Sequence, residues 1–209
     1  ISALASLSSA SFGNLPLDET LSDGNIELTL EEDGKLLFNG IGKISGVESS
    51  FNGKQTADKK MNVVIKTTPS KYLSKQIEEF TKIDISGNTA MKLHLDYDSI
   101  SKIGGGSAKV DLTDAAIDLP MFNWAKIPGE NGEVDASFSF KSSSVHKIEI
   151  DEAIIGTLQG KGVFEVASDL SISNAIVTDF KSPGYDIDKL VINTNDDKTT
   201  EVLAEGGLI

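Results

Sequence analysis

The chain of 209 residues carries 32 carboxylates against 19 basic side chains, all of them lysine, for a net charge of −13. Without arginine there is no bidentate clamp for phosphate, and the acidity repels polyanions, so nucleic acid and anionic membrane surfaces are not expected partners. The lack of cysteine removes disulfides, thiolate nucleophiles and Cys-ligated zinc, while 39% hydrophobic residues suffice for a core and exceed what disordered chains contain.

The start, Ile1-Ser2-Ala3-Leu4-Ala5, has neither Met nor a charged leader region. Residues 1–209 are therefore expected to form one β-rich segment of a larger protein. A first strand group is predicted over 25–66. Ile26, Leu28 and Leu30 alternate with polar residues, and so do Met61, Val63 and Ile65. Alternation with period two places one apolar face inward and one polar face toward water. Glu32-Asp33-Gly34 reads as a hairpin turn, and Asn52-Gly53 as a type I′ turn.

Thr68-Pro69 supplies a helix N-cap and first residue, and Leu73, Ile77 and Phe80 follow at helical spacing. The spacing predicts an amphipathic helix over 69–82, extending at most over 69–84, that covers an edge or open end of the sheet. A second strand group is predicted over 86–195. Met91, Leu93, Leu95 and Tyr97 alternate, as do Val134, Ala136, Phe138 and Phe140, with shorter runs at Val110/Leu112, Ile148/Ile150 and Phe164/Val166. Gly104-Gly105-Gly106-Ser107 lacks the following Gly-Lys-Ser/Thr and helix of a phosphate cradle and reads as a loop. Pro128-Gly129, Asn131-Gly132 and Pro183-Gly184 mark further turns. Ser45–Lys54 and Ala153–Gly162 echo each other weakly, as a repeated hairpin would.

Catalytic signals are sparse. His94 and His146 each stand without a second ligand at metal spacing and read as surface residues. No Gly-x-Ser-x-Gly elbow occurs. The carboxylate clusters at 31–33, 78–79, 151–152 and 196–197 form no twelve-residue calcium loop and read as solvated turns and faces. No catalytic residue, metal or cofactor is expected. Trp124, the one tryptophan, lies in the apolar, Pro-bracketed segment Leu119–Gly129, which either plugs an edge of the core or offers an apolar contact at a groove mouth.

Asp111-Leu112-Thr113-Asp114-Ala115, the apolar-Pro turn at Leu119-Pro120, Trp124-Ala125-Lys126-Ile127-Pro128-Gly129 and the run at Val134–Phe140 resemble the AsmA-like, YhdP-type (TamB-related) domain of proteobacterial envelope proteins. Gly156–Gly162 and Phe164–Val166 are similar to its next hairpin, and Tyr72–Phe80 with Ser86-Gly87 to its preceding helix. The resemblance covers residues 60–195. It implies a taco-like, curled antiparallel meander enclosing a β-groove in a large periplasmic protein anchored in the inner membrane by a helix outside this chain. It further implies movement of phospholipid between the inner and outer membranes or support of outer-membrane integrity, and it supplies no catalytic residues.

The expected fold is thus mainly β, an extended curled antiparallel sheet with one helix. The expected function is a non-enzymatic lipid-binding module whose partners are phospholipid or acyl chains and other segments of the same protein. Its groove candidates are Ile26, Leu28, Leu30, Met61, Val63, Ile65, Met91, Leu93, Leu95, Val134, Phe138, Phe140 and Trp124. Two alternatives remain: a structural or adhesive β module, sandwich or solenoid, binding a protein or glycan, and a carboxylate-based hydrolase.

Overall fold

A computed structural model describes residues 3–13, 15, 19–68, 84–119, 124–142, 144–167, 172–194 and 200–208. Every regular element among them is a strand. In chain order these are β1 (Ala3–Phe12), β2 (Leu21–Leu30), β3 (Leu36–Ile44), β4 (Val47–Gln55), β5 (Lys60–Thr67), β6 (Asp84–Gly87), β7 (Ala90–Asp98) and β8 (Ile103–Asp111). Then follow β9 (Ala115–Leu119), β10 (Trp124–Lys126), β11 (Gly132–Lys141), β12 (Ser144–Ile155), β13 (Leu158–Val166), β14 (Ile172–Ser182), β15 (Tyr185–Thr194) and β16 (Thr200–Leu208).

Thirteen strands form one antiparallel sheet in the order β1-β2-β3-β4-β5-β7-β8-β11-β12-β13-β14-β15-β16, and β10-β9-β6 form a small second sheet. The large sheet is a meander that curls, as right-handed strand twist requires of so many strands. β1 and β16 are its two open edges.

The expected curled antiparallel sheet is therefore present. The helix expected over 69–82 lies outside the described residues; Asp84, the outer bound of the 69–84 expectation, opens strand β6 instead, and no described residue is helical. Two local readings are corrected. Asn52-Gly53 is not a turn but lies inside β4, with Asn52 opposite Asn39 and Gly53 opposite Phe38. A Cβ on Gly53 would stand 2.6 Å from the Phe38 ring, so the glycine is there to admit a ring. Gly104-Gly105-Gly106 is not a loop but part of β8, paired on both sides, and the rings of Phe140 and Phe138 lie against Gly104 and Gly106. By contrast Gly34, Gly129 and Gly184 have positive φ at the turns expected around them.

Alternating strand directions place the connections at two ends. The turns after β2, β4, β7 and β11 lie at one end. The connections 68–89, which contains β6, and 112–131, which contains β9 and β10, leave from the other. That end is where the small sheet sits.

Candidate functional site

The register of the large sheet can be followed strand by strand. Leu7, Ile26, Gly40, Phe51, Ile65, Leu93, Ala108, Ala136, Ile150, Gly162, Val177, Leu190 and Ala204 stand opposite one another in a single row. The parallel row is Ala5, Leu28, Phe38, Gly53, Val63, Leu95, Gly106, Phe138, Ile148, Phe164, Ala175, Ile192 and Val202. Two positions along each strand share a face, so both rows belong to the same side. Neither contains a polar side chain. A third row, on one flank, holds Leu30, Leu36, Met61, Tyr97, Gly104 and Phe140, with Gln55 as its polar member; a fourth, on the other flank, holds Met91, Val110, Val134 and Ala153, with Thr67 opposite Met91 as a polar member.

The twelve strand residues singled out in the sequence thus share one face. Ile26, Ile65 and Leu93 fall in the first row, and Leu28, Val63, Leu95 and Phe138 in the second. Leu30, Met61 and Phe140 fall in the third, and Met91 and Val134 in the fourth. Strand periodicity missed Phe38, Phe51 and the interleaved glycines, because a run such as Phe38-Asn39-Gly40-Ile41-Gly42 has no hydropathic alternation once glycine replaces the apolar residue.

The floor of this face is sealed sideways. Val63, Leu95 and Phe140 are buried, and Phe38, Phe51, Met61, Ile65, Tyr97, Phe138 and Val145 pack against them. All belong to the large sheet. Tyr97 and Phe140 stack at 5.8 Å and Phe138 and Phe140 at 6.3 Å between centroids, within the range where offset aromatic pairs attract. Rings lying over glycines of the next strand cover the backbone, with no second layer above them among the described residues. Toward the margins the same face opens: Leu7 is 36%, Leu30 43% and Val202 58% exposed.

One end is closed. Leu112, Ala115 and Ile117 are buried with Ile85, Trp124, Val110, Val134 and Ile155 around them, which seats the small sheet on the ends of β8, β11 and β12. Trp124 therefore lies in this plug, its Nε1 donating to Thr157 Oγ at 2.9 Å. Lys126, 1% exposed, donates from Nζ to the carbonyls of Thr113 (2.9 Å), Ala115 (2.9 Å) and Ile127 (3.2 Å). The Thr113 and Ile127 carbonyls also accept from the backbone N–H groups of Gly129 and Glu130, and Ala115 opens β9, so the buried ammonium ties the turn backbone to the first residue of β9 and clamps the plug. Asp111, at the same end, has its carboxyl held below the usual range by the hydroxyl and then the backbone N–H of Thr113.

The other face carries Ser6, Glu27, Asn39, Asn52, Val64, His94, Ser107, Ser137 and Glu149 in register. The row then turns apolar, with Val163, Ile176, Val191 and Leu203. His94 lies here, its Nε2 accepting from Asn62 Nδ2 at 2.7 Å, and the same amide reaches Asp96 at 2.7 Å. His146 Nε2 is 3.0 Å from Ser139 Oγ, an exposed pair to which no carboxylate is hydrogen-bonded among the described residues. Among the described residues no group of three His, Cys, Asp or Glu is placed to hold a metal, and no helix is long and apolar enough to cross a membrane.

The arrangement is a wide apolar sheet face, covered by the small sheet at one end of β8, β11 and β12, exposed at its margins, with an opposite face that is mostly polar as far as β12. No family model, curated protein or solved structure matches the chain.

Proposed function

We propose that this chain is a non-enzymatic lipid-binding segment whose apolar face takes the acyl chains of a phospholipid. The observation that carries the reading is the pair of polar-free rows running through all thirteen strands of a sheet that the described residues cover at one end only. An apolar face of that width needs a covering, and each acyl CH₂ laid on it contributes about 0.8 kcal/mol. The headgroup stays in water at an open margin, so no arginine clamp is needed. The charged back keeps such a sheet in an aqueous compartment. The resemblance of residues 111–140 to AsmA-like, YhdP-type domains supplies the setting: a periplasmic stretch of a larger inner-membrane-anchored protein that passes phospholipid toward the outer membrane and so supports its integrity.

The test uses delipidated protein and a phospholipid bearing an environment-sensitive fluorophore on one acyl chain. Saturable emission enhancement is expected, competed by unlabelled phospholipid. Val202→Asp, at an exposed position of the apolar face, should weaken it severalfold with the melting temperature unchanged. Thr178→Asp, on the opposite face, should not. Failure of the wild-type chain to bind, or equal binding by both variants, ends the proposal.

A second reading, a structural or adhesive β module, is favoured by the apolar stripe Val163, Ile176, Val191 and Leu203 on the back of β13–β16. There both faces are apolar and a protein partner could cover either one. Specific capture of a protein by that stripe, with no affinity for lipid, would support it.

A further inference from the structure

Along much of the polar face, side chains satisfy one another across strands. Lys43 pairs with Asp23 at 2.9 Å, Lys161 with Asp179 at 3.4 Å, Lys109 with Glu133 and Asp135, and Asn62 bridges His94 and Asp96. Between the Lys43–Asp23 pair and Asn62, along the middle of β1–β5, the pattern changes. A hollow of about 620 Å³ opens there, and its lining includes Asn25, Asn39, Ser50, Asn52, Glu27 and Lys66. The volume lies in the range of small-molecule sites. Asn39 and Asn52 face each other across β3 and β4, and Ser50 stands between Ile41 and Lys66. Asn39 Nδ2 makes one long contact of 3.4 Å to Glu27. Among the described residues the side chains of Asn25, Ser50, Asn52 and Lys66 have no hydrogen-bond or ion-pair partner.

The chemistry of this lining is selective. Amides and hydroxyls offer donors and acceptors side by side, which suits vicinal hydroxyl groups. The single carboxylate and single ammonium offset each other. Ile41, 59% exposed, offers an aliphatic surface for the C–H face of a ring. An anion would find one lysine opposed by Glu27 and by the chain's charge of −13. An acyl chain would strip water from the amides and return no hydrogen bond. We infer that this hollow binds an uncharged saccharide of about one or two rings. Its polar side chains stand on the side of the sheet opposite the proposed acyl face, and Leu7, Ile26, Gly40 and Phe51 of the first row border it from the strands between.

The test is an NMR titration of the full isotopically labelled chain with glucose, N-acetylglucosamine and maltose, using inorganic phosphate as the anionic control. At least one sugar should give saturable amide shifts confined to β1–β5. Asn52→Leu and Asn39→Leu, both at exposed positions, should weaken binding about tenfold each. Their melting temperatures and acyl-probe binding should match the wild type. Shifts that do not saturate or that scatter over the sheet, saturation by phosphate alone, or wild-type affinity in both variants would each overturn the inference.

Discussion

Phe140 has no exposed surface although it stands on a sheet with no described second layer above it. Its cover is lateral: Tyr97 and Phe138 on either side, and Gly104 beneath the ring tip. Truncating it removes ring contacts that no facing strand can refill. Phe140→Ala should cost about 3–5 kcal/mol in urea denaturation. Gly104→Ala attacks the same contact from below, because the new methyl would run into the ring and stand 2.7 Å from the Asp96 carbonyl oxygen. It should cost about 1–3 kcal/mol. With the ring gone, much of that clash disappears, so the double variant should be more stable than the sum of the single losses implies. Strict additivity would show that ring and glycine do not share one contact.

The hairpin turns carry their own electrostatics. Asp33, Asp58 and Asp98 lie at the turns after β2, β4 and β7, all at one end of the sheet, and each has a lowered pKa. For Asp98 the leading causes are the backbone N–H groups of Ser101 and Ile100, which donate to Oδ1 at 3.1 and 2.8 Å. A carboxylate favoured in the fold stabilises above its unfolded pKa, near 3.8, and loses that contribution as pH falls through the lower folded value. Asp98→Asn should therefore be less stable than wild type at neutral pH and converge on it in acid below 3.8. Denaturation midpoints across that range measure the convergence, and parallel curves would contradict it.

At this scale the sequence was readable where apolar residues alternate with polar ones, as at 26–30, 61–65, 91–97 and 134–140. It misled where glycine stands in for an apolar residue. Asn52-Gly53 and Gly104–Gly106 have turn composition, yet tertiary pairing with Phe38, Phe138 and Phe140 makes them strand. The clamp by Lys126 gave no signal either, since a lone lysine between Ala125 and Ile127 looks solvated until its three carbonyl partners are in place. Nor can period two tell which side of each strand joins its neighbours' side. Only the register does, and that depends on the bulges, for example the shift between Ile150 and Ala153 that keeps both on the apolar face.

Across the whole molecule, each strand of the large sheet pairs only with its immediate neighbours in that sheet, and the small plug engages β8, β11 and β12. Such a ladder is nearly one-dimensional, and its stability is set by successive neighbour interfaces rather than by one central core. Burial on the apolar face follows this: Val63, Leu95 and Phe140 near the centre are closed off, whereas Leu7 is 36% and Val202 58% exposed on the edge strands. Native-state hydrogen exchange should therefore rise in a gradient from β5, β7, β8 and β11 toward β1 and β16, and not occur in a single cooperative step. An acyl chain lying across several strands would couple interfaces that are otherwise independent. Adding phospholipid should slow exchange most in the strands it spans and flatten the gradient there. A uniform exchange rate in the lipid-free protein would mean that the strands unfold together, which neighbour-only coupling does not permit.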